Sequence, residues 1–260
     1  MTSATAVTAD DAALARDLAT RAGQLLLQLR ARMGYGDPDA LRAAGDLHSH
    51  EFLVAELATH RPDDAVLSEE GADDLSRLDA DRLWIVDPLD GTSEYGETGR
   101  TDWAVHVALW ERAAGGLTTG AVALPARRTT LSADGGFPPL PPVGDPPRIA
   151  MSRSRAPEFI GAVAGRIGAV PTRIGSAGMK AMAILLGEAD AYLHRGRMKE
   201  WDSAAPAVVA AAAGLHVSRL DGSPLQFNTP ERLTLDLLIC QPALAEPLLA
   251  AVADVARDED

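Results

Sequence analysis

A single cysteine, Cys240, among 260 residues excludes an internal disulfide framework and fits a reducing compartment. Basic residues are outnumbered 24 to 37, a net charge of −13, and only two of the 24 are lysines, Lys180 and Lys199. Non-specific nucleic-acid binding and adhesion to an anionic membrane both need a basic face, so this balance speaks against either. No stretch approaches the ~20 consecutive apolar residues that span a bilayer. The first residues carry neither the basic region nor the apolar run of a secretory signal. The expectation is a soluble, cytoplasmic, acidic globular protein. Aromatics are also scarce, with four Trp, three Tyr and four Phe, whereas 48 residues are alanine. A hydrophobic share of 47% is ample for a core, but one built from small side chains in closely packed elements.

The chain is long enough for one large domain or two modest ones. Leu14, Leu18, Leu25, Leu26 and Leu29 recur at helical spacing after a capping-box pair, Thr8 and Asp11, which predicts a helix from there to about Met33. A second helix is expected from Gly45 to His60, closed by Arg61-Pro62. Leu83–Val86 reads as a strand ending at Asp87-Pro88. Trp103–Trp110 alternates, with Val105, Val107 and Leu109 on one side and His106 on the other. Gly120–Leu124 and Thr129–Leu131 follow as antiparallel neighbours. Asp134–Pro147 then holds six of the 17 prolines and reads as an exposed connector.

After the connector, strand and helix alternate. Strands are expected at Arg148–Met151, Thr172–Ile174, Ala191–His194, His216–Ser218 and Leu235–Cys240. Helices are expected at Pro157–Arg166, Ser176–Leu186, Ser203–Ala213 and Pro242–Ala256. The reading is α+β or α/β, two fused lobes, 1–147 and 148–260. The first would carry an antiparallel sheet and most of the acids, the second the substrate contacts and a Trp-Asp pair.

Three acidic groups fall at element ends rather than on solvated helix faces: Ser68-Glu69-Glu70, Asp87-Pro88-Leu89-Asp90-Gly91-Thr92 and Trp201-Asp202. A strand would deliver Asp87 at its end, and Asp90 could turn back toward the same point. Two carboxylates so placed repel unless a cation lies between them, and a hard cation such as Mg²⁺ takes oxygen ligands. Gly91 permits close backbone approach, and the N–H groups of Gly91 and Thr92 could meet a phosphate oxygen. Each segment also has a plainer reading: a turn at Asp-Pro and Asp-Gly, solvated glutamates, a helix cap at Asp202.

The combination resembles the inositol monophosphatase superfamily: Glu-Glu, then DPLDGT, then WD over a hundred residues later. The resemblance covers nearly the whole chain. It departs mildly at Gly214-Leu215, where the family often has Gly-Gly. Gly175-Ser176-Ala177-Gly178-Met179-Lys180, Glu200 and Ser203-Ala204-Ala205-Pro206 bring it closer to the CysQ-type 3′(2′),5′-bisphosphate nucleotidases. The resemblance implies an αβαβα layered sandwich and a lithium-sensitive, Mg²⁺-dependent phosphatase with two to three ions per site. Its reaction would take the 3′-phosphate from 3′-phosphoadenosine 5′-phosphate to leave AMP, or convert the related sulfate ester, in sulfur assimilation.

By the same resemblance, Glu69, Asp87 and the Leu89 carbonyl would hold one metal, and Asp87, Asp90 and Asp202 a second. Glu70 would serve a third ion or its water. Thr92, polarised by Asp46, would activate the nucleophilic water; taken alone, Asp46 in Ala44-Gly45-Asp46-Leu47 reads as a helix cap. Gly91, Thr92, Ser176, Ala177 and Lys180 are expected at the substrate. Arg195, Arg197 and Lys199 are candidates for a second phosphate, or a solvated basic loop. Glu200 is a candidate acceptor for ribose hydroxyls, or a surface residue.

His48 and His50, two apart on a helix, make a poor metal pair, and Cys240 reads as a small buried hydrophobe. An inositol monophosphatase, a fructose-1,6-bisphosphatase and a non-catalytic metal- or nucleotide-binding protein remain alternatives. A homodimer stays open. Setting aside Asp46, Glu69, Glu70, Asp87, Asp90 and Asp202 leaves 31 acids against 24 bases, or −7. A large part of the excess is thus concentrated in one expected site.

Overall fold

The structure, a computed structural model, describes residues 4–153 and 158–259, with the side chains of 4–10 and 259 left aside. Two helices open the chain, α1 (Ala4–Met33) and α2 (Pro38–His60). A first sheet follows in the order β1 (Ala65–Ser68), β2 (Arg82–Asp90), β3 (Ala104–Glu111), β4 (Gly116–Leu124) and β5 (Thr129–Ser132). β1 runs parallel to β2 and the other neighbours are antiparallel. A single-turn helix, α3 (Thr92–Tyr95), separates β2 from β3.

Beyond the proline-rich connector, β6 (Arg148–Ser152), β7 (Val170–Ile174), β8 (Ala191–Lys199), β9 (His216–Ser218) and β10 (Leu233–Cys240) form a second sheet in the order β7-β6-β8-β10-β9. Four helices accompany it: α4 (Glu158–Ile167), α5 (Ala177–Leu185), α6 (Glu200–Ala212) and α7 (Ala245–Glu259).

Period-two alternation sends each strand's residues to opposite faces and so fixes the layers. Trp84 and Val86 of β2 pack with Leu18, Leu26, Leu53 and Leu57 of α1 and α2. Leu83 and Ile85 point the other way, onto Met179 and Met182 of α5 and Ala204, Ala205 and Val209 of α6. Tyr192 of β8 and Leu237 and Ile239 of β10 close that middle layer from the far side. Leu193 and Leu238 face outward onto Phe159, Ile160 and Val163 of α4 and Leu248 and Val252 of α7. The result is the layered αβαβα sandwich that the family resemblance implied. The alanine surplus has its use in the middle layer, where small residues let α6 lie close to β4. A Cβ added at Gly120 would stand 2.8 Å from Val208 Cγ1.

Several element ends differ from expectation. α1 begins at Ala4, so Thr8 lies inside it, and Asp11 is not a capping acid. Its buried carboxylate instead takes Arg61 Nε at 2.8 Å and Arg82 Nη2 at 2.9 Å. α2 begins at Pro38, capped by the Asp37 side chain on Ala40 N at 3.0 Å, which leaves Asp46 in mid-helix and removes its capping role. β8 runs on to Lys199 and α6 starts at Glu200, so Asp202 lies in the first helical turn and the cap position is Lys199. The expected start of α4 at Pro157 lies outside the described residues.

Candidate active site

Asp87 and Asp90 are three residues apart, and on an unbroken strand they would face opposite sides. Pairing with β3 passes from Asp87–His106 to Asp90–Ala104, three steps on one strand against two on the other. That extra residue is a bulge, and it corrects the parity so that both acids face α5 and α6. Pro88, lacking an N–H, tolerates the gap in the ladder. The strand therefore does not stop at Asp87, as its proline suggested, but resumes at Asp90. From α2, Ser49 Oγ donates to the Pro88 carbonyl at 2.7 Å, and Leu89 N donates to Asp87 Oδ1 at 3.0 Å. Gly91, at φ +90°, then turns the chain into α3 in a conformation that favours glycine.

The middle layer delivers the third acid from α6. One carboxylate oxygen each of Asp87, Asp90 and Asp202 lie within 4.8 Å of one another. Asp87 is fully buried, and its Oδ2 has no hydrogen-bond partner. Burial, then the charges of Asp90, Glu69 and Asp202, push its carboxyl well above the usual range. Burial and Asp90 raise Asp202 to about 6. Glu69 stands at the solvent side, yet desolvation among its neighbours and the charges of Asp202 and Glu70 raise it to about 7. Among these acids Asp90 moves down: burial opposes its charge, but His106, Lys180 and Ser176 outweigh that and hold it below the ordinary value. An all-oxygen donor set with a buried, unpartnered carboxylate oxygen fits a hard divalent cation.

Beside this triad, Thr92 Oγ1 lies 3.3 Å from Asp46 Oδ1 and 3.1 Å from the Leu89 carbonyl. Its one proton can serve either acceptor. Burial and the charge of Glu70 raise Asp46 to about 6.

Asp90 is held more heavily than its sequence context suggests. Ala177 N donates to Oδ1 at 3.0 Å and Gly178 N to Oδ2 at 2.6 Å, and Ser176 Oγ also donates to Oδ2. The opening N–H groups of α5, in a stretch expected at the substrate, are thus turned onto Asp90 itself. Ser176 also caps α5 by accepting from Met179 N at 2.9 Å. Lys180 is buried, with Nζ donating to Ser176 O at 2.6 Å and lying 5.2 Å from the Tyr192 ring centroid. Burial holds its pKa below the usual lysine value despite Asp90 and Asp202.

A cavity of about 490 Å³ is lined by Asp90, Gly91, Ser176, Ala177, Lys180, Arg195, Arg197 and Asp202. Ser152, Ile160, Tyr192, His194 and Met198 also line it, and none of these was marked in the sequence. The two arginines belong to β8 itself rather than to a loop after it. Two of the residues expected at the substrate, Lys199 and Glu200, lie outside that lining. The Lys199 Nζ lies 5.5 Å from the Trp201 ring centroid. Glu200 is fully buried, and its carboxylate accepts from Asn228 N, Thr229 N and Thr229 Oγ1 at 2.7–2.8 Å, which directs it to that loop instead of a ribose.

Two further residues support the site without having been singled out for it. Arg77, buried, bonds Asp73, Asn228 Oδ1 and the Thr229 carbonyl, tying the loop after Glu70 to the loop that grips Glu200. His106 sits on the inward face of β3 against Asp90. Its signal was present in the alternation of Trp103–Trp110, where a histidine occupies the face opposite three apolar residues. Arg77 had no such signal, since its partners on the far loop, Asn228 and Thr229, lie about 150 residues away.

The profile of the inositol monophosphatase family matches residues 9–137 and 148–256. The chain is 48% identical over 261 residues to a protein of Mycobacterium leprae (strain TN) named 3′-phosphoadenosine 5′-phosphate phosphatase, with 94% of each covered. It is 51% identical over 246 residues to the protein of that name from Mycobacterium bovis (strain ATCC BAA-935 / AF2122/97), covering 91% of each. Among solved structures it is similar to CysQ from Bacteroides thetaiotaomicron, a bacterial member of the family. The TM-score is 0.73 at 27% identity, over 89% of this chain and 97% of that one.

Proposed function

The chain belongs to the inositol monophosphatase family and is a phosphatase, and on that premise we propose that it removes the 3′-phosphate of a 3′,5′-bisphosphate nucleotide, with 3′-phosphoadenosine 5′-phosphate as its substrate. The observation that carries this reading is one cavity lined by two acids of the Asp87–Asp90–Asp202 triad, Asp90 and Asp202, together with Lys180, Arg195 and Arg197. Such a cleft suits a small molecule with two separated anionic groups. The acids would hold the divalent cations beside the scissile phosphate, and the arginines of β8 would bind the second phosphate through charge-assisted hydrogen bonds.

Mg²⁺ is the proposed metal. Asp87, Asp90 and Asp202 would hold one ion, and Glu69, Asp87 and the Leu89 carbonyl another, with Glu70 at the solvent side. Bound there, the ions would polarise the phosphoryl oxygens and make water a better nucleophile. The chain's own residues would do the rest. Thr92, donating its hydroxyl hydrogen bond to Asp46, would turn a lone pair toward the attacking water and orient it. Gly91 lets the backbone come close to the phosphate, and Lys180 would offset negative charge at the cavity wall.

The test is a panel of 3′-phosphoadenosine 5′-phosphate, its 5′-sulfated analogue, inositol 1-phosphate and fructose 1,6-bisphosphate, with kcat/KM measured side by side in Mg²⁺. The bisphosphate nucleotide should lead. A preference above about tenfold for inositol phosphate would replace this reading with an inositol monophosphatase. No phosphate release from any of the four would leave a binding protein.

A further inference from the structure

His106 is fully buried on β3, and both of its ring nitrogens meet the acids' supporting framework. Nδ1 lies 3.0 Å from the carbonyl of Trp201, the residue before Asp202. A carbonyl only accepts, so Nδ1 is the donor there. Nε2 lies 3.2 Å from Asp90 Oδ2, off the line of a regular hydrogen bond, and no other hydrogen-bond partner reaches it among the described residues.

The ring is enclosed on a third side by α5. A Cβ built on Gly178 would come within 2.0 Å of Nε2, and Gly178 N itself donates to Asp90 Oδ2 at 2.6 Å. A glycine at that point is what lets the helix, the imidazole and the carboxylate share one small volume.

We propose that His106 is a positioning residue for the metal-binding acids, spacing Asp90 on β2 from the first turn of α6 and hence from Asp202. The proposal rests on the metal reading of the triad. Its physical basis is geometric. Asp90 and Asp202 come from different elements, and among the described residues His106 is a rigid side chain that touches the first and the backbone beside the second. An aromatic ring of fixed length transmits a distance where a flexible chain would not, and partners of this kind commonly alter metal affinity when removed.

The two contacts can be separated chemically. His106→Asn places an amide near the Nδ1 position, keeping the Trp201 contact and withdrawing from Asp90. His106→Gln extends an amide toward the Nε2 position and faces Asp90 again. Mn²⁺ alone serves as probe, its free concentration followed by electron paramagnetic resonance as full-length protein is titrated. Circular dichroism and thermal melts report folding, and kcat and KM are measured with 3′-phosphoadenosine 5′-phosphate. The expected result is Mn²⁺ affinity weaker by about tenfold or more in the Asn variant, largely recovered in the Gln variant. At saturating metal, kcat of the Asn variant should fall while KM stays within about twofold.

Wild-type Mn²⁺ affinity in a folded Asn variant would overturn the proposal. Equal losses in both variants would overturn it too, since a mere space-filling role would produce them. Should the Asn variant not fold, His106→Ser takes its place with the same two readings. Absence of Mn²⁺ binding by the wild-type protein would overturn the metal reading, and this proposal with it. That outcome differs visibly from a failure confined to His106.

Discussion

Asp87, a ligand in the proposed metal set, sits where its carboxyl works against stability. Its buried Oδ2 lacks a partner, and Asp90 and Asp202 crowd it with like charge. In chelator, Asp87→Asn should melt at a higher temperature than wild type, because the cost of burying a titratable carboxyl beside like charges is removed. In Mg²⁺ the same variant should lose activity by at least ~100-fold, a ligand mattering more than its supporting shell. Thermal melts in EDTA and phosphate-release assays check the two halves, and a variant as active as wild type would remove Asp87 from the metal set. Cys240 makes a second residue-scale case. Burial pushes its thiol up to about 12, so at pH 8 it stays protonated and is a poor nucleophile. Iodoacetamide should leave it unmodified in the native protein and alkylate it in urea, as read by mass shift. Its place in an apolar strand was legible in the sequence, as was the repulsion between Asp87 and Asp90; the full burial of Asp87 and its unpartnered oxygen were not, because the layers that enclose it come from other elements.

At the scale of elements, the site depends on joints more than on regular structure. The β2 bulge aims two acids the same way, and Gly91 turns the chain immediately after it. A Cβ at Gly91 would stand 3.1 Å from Ser176 Cβ and 3.2 Å from both the Asp102 carbonyl and Trp103 Cα. Gly91→Ala therefore combines positive φ with crowding and should cost about 1–3 kcal/mol in urea unfolding, with activity lost alongside. A substitution that leaves both unchanged would mean the turn has another solution. The joint between β8 and α6 is held by Glu200. Glu200→Gln should lower stability by about 1–3 kcal/mol through lost acceptors for the 228–229 loop, while KM changes less than about twofold. A large rise in KM with stability intact would return Glu200 to the substrate. Most elements could be read from periodicity and turn residues. Their ends could not: β8 runs to Lys199, where it still pairs with Leu233 of β10, and α6 begins at Glu200, and that pairing partner lies over thirty residues on.

For the whole molecule, the middle layer is decisive. Residues from both sheets share one core with α5 and α6, so the halves on either side of the connector are not independent in packing. A single calorimetric transition with matching van't Hoff and calorimetric enthalpies is expected. Two separated transitions would show that the halves fold alone. Saturating Mg²⁺ should raise the melting temperature, since an ion at 100 times its Kd adds about 2.7 kcal/mol to the folded state, and EDTA should reverse the gain. Lithium should inhibit hydrolysis in competition with Mg²⁺. Among the described residues no helix is long and apolar enough to cross a membrane.

The order of chemical groups along the chain was determined by the sequence itself: the Glu-Glu pair, DPLDGT and WD are local strings, and they carried the resemblance to the family, which in turn implied the layered fold. Cys240's burial and the alternating strands were legible for the same reason, since period and composition are properties of neighbours in the chain. Only the tertiary structure decided which acceptors each donor reaches. The N–H groups at the start of α5 go to Asp90 and Glu200 goes to a loop about thirty residues on. His106 reaches the carbonyl of a residue ninety-five positions away. Hydrogen bonds and buried charges are short-ranged, and which groups come within that range is settled by packing between layers, not by distance along the sequence.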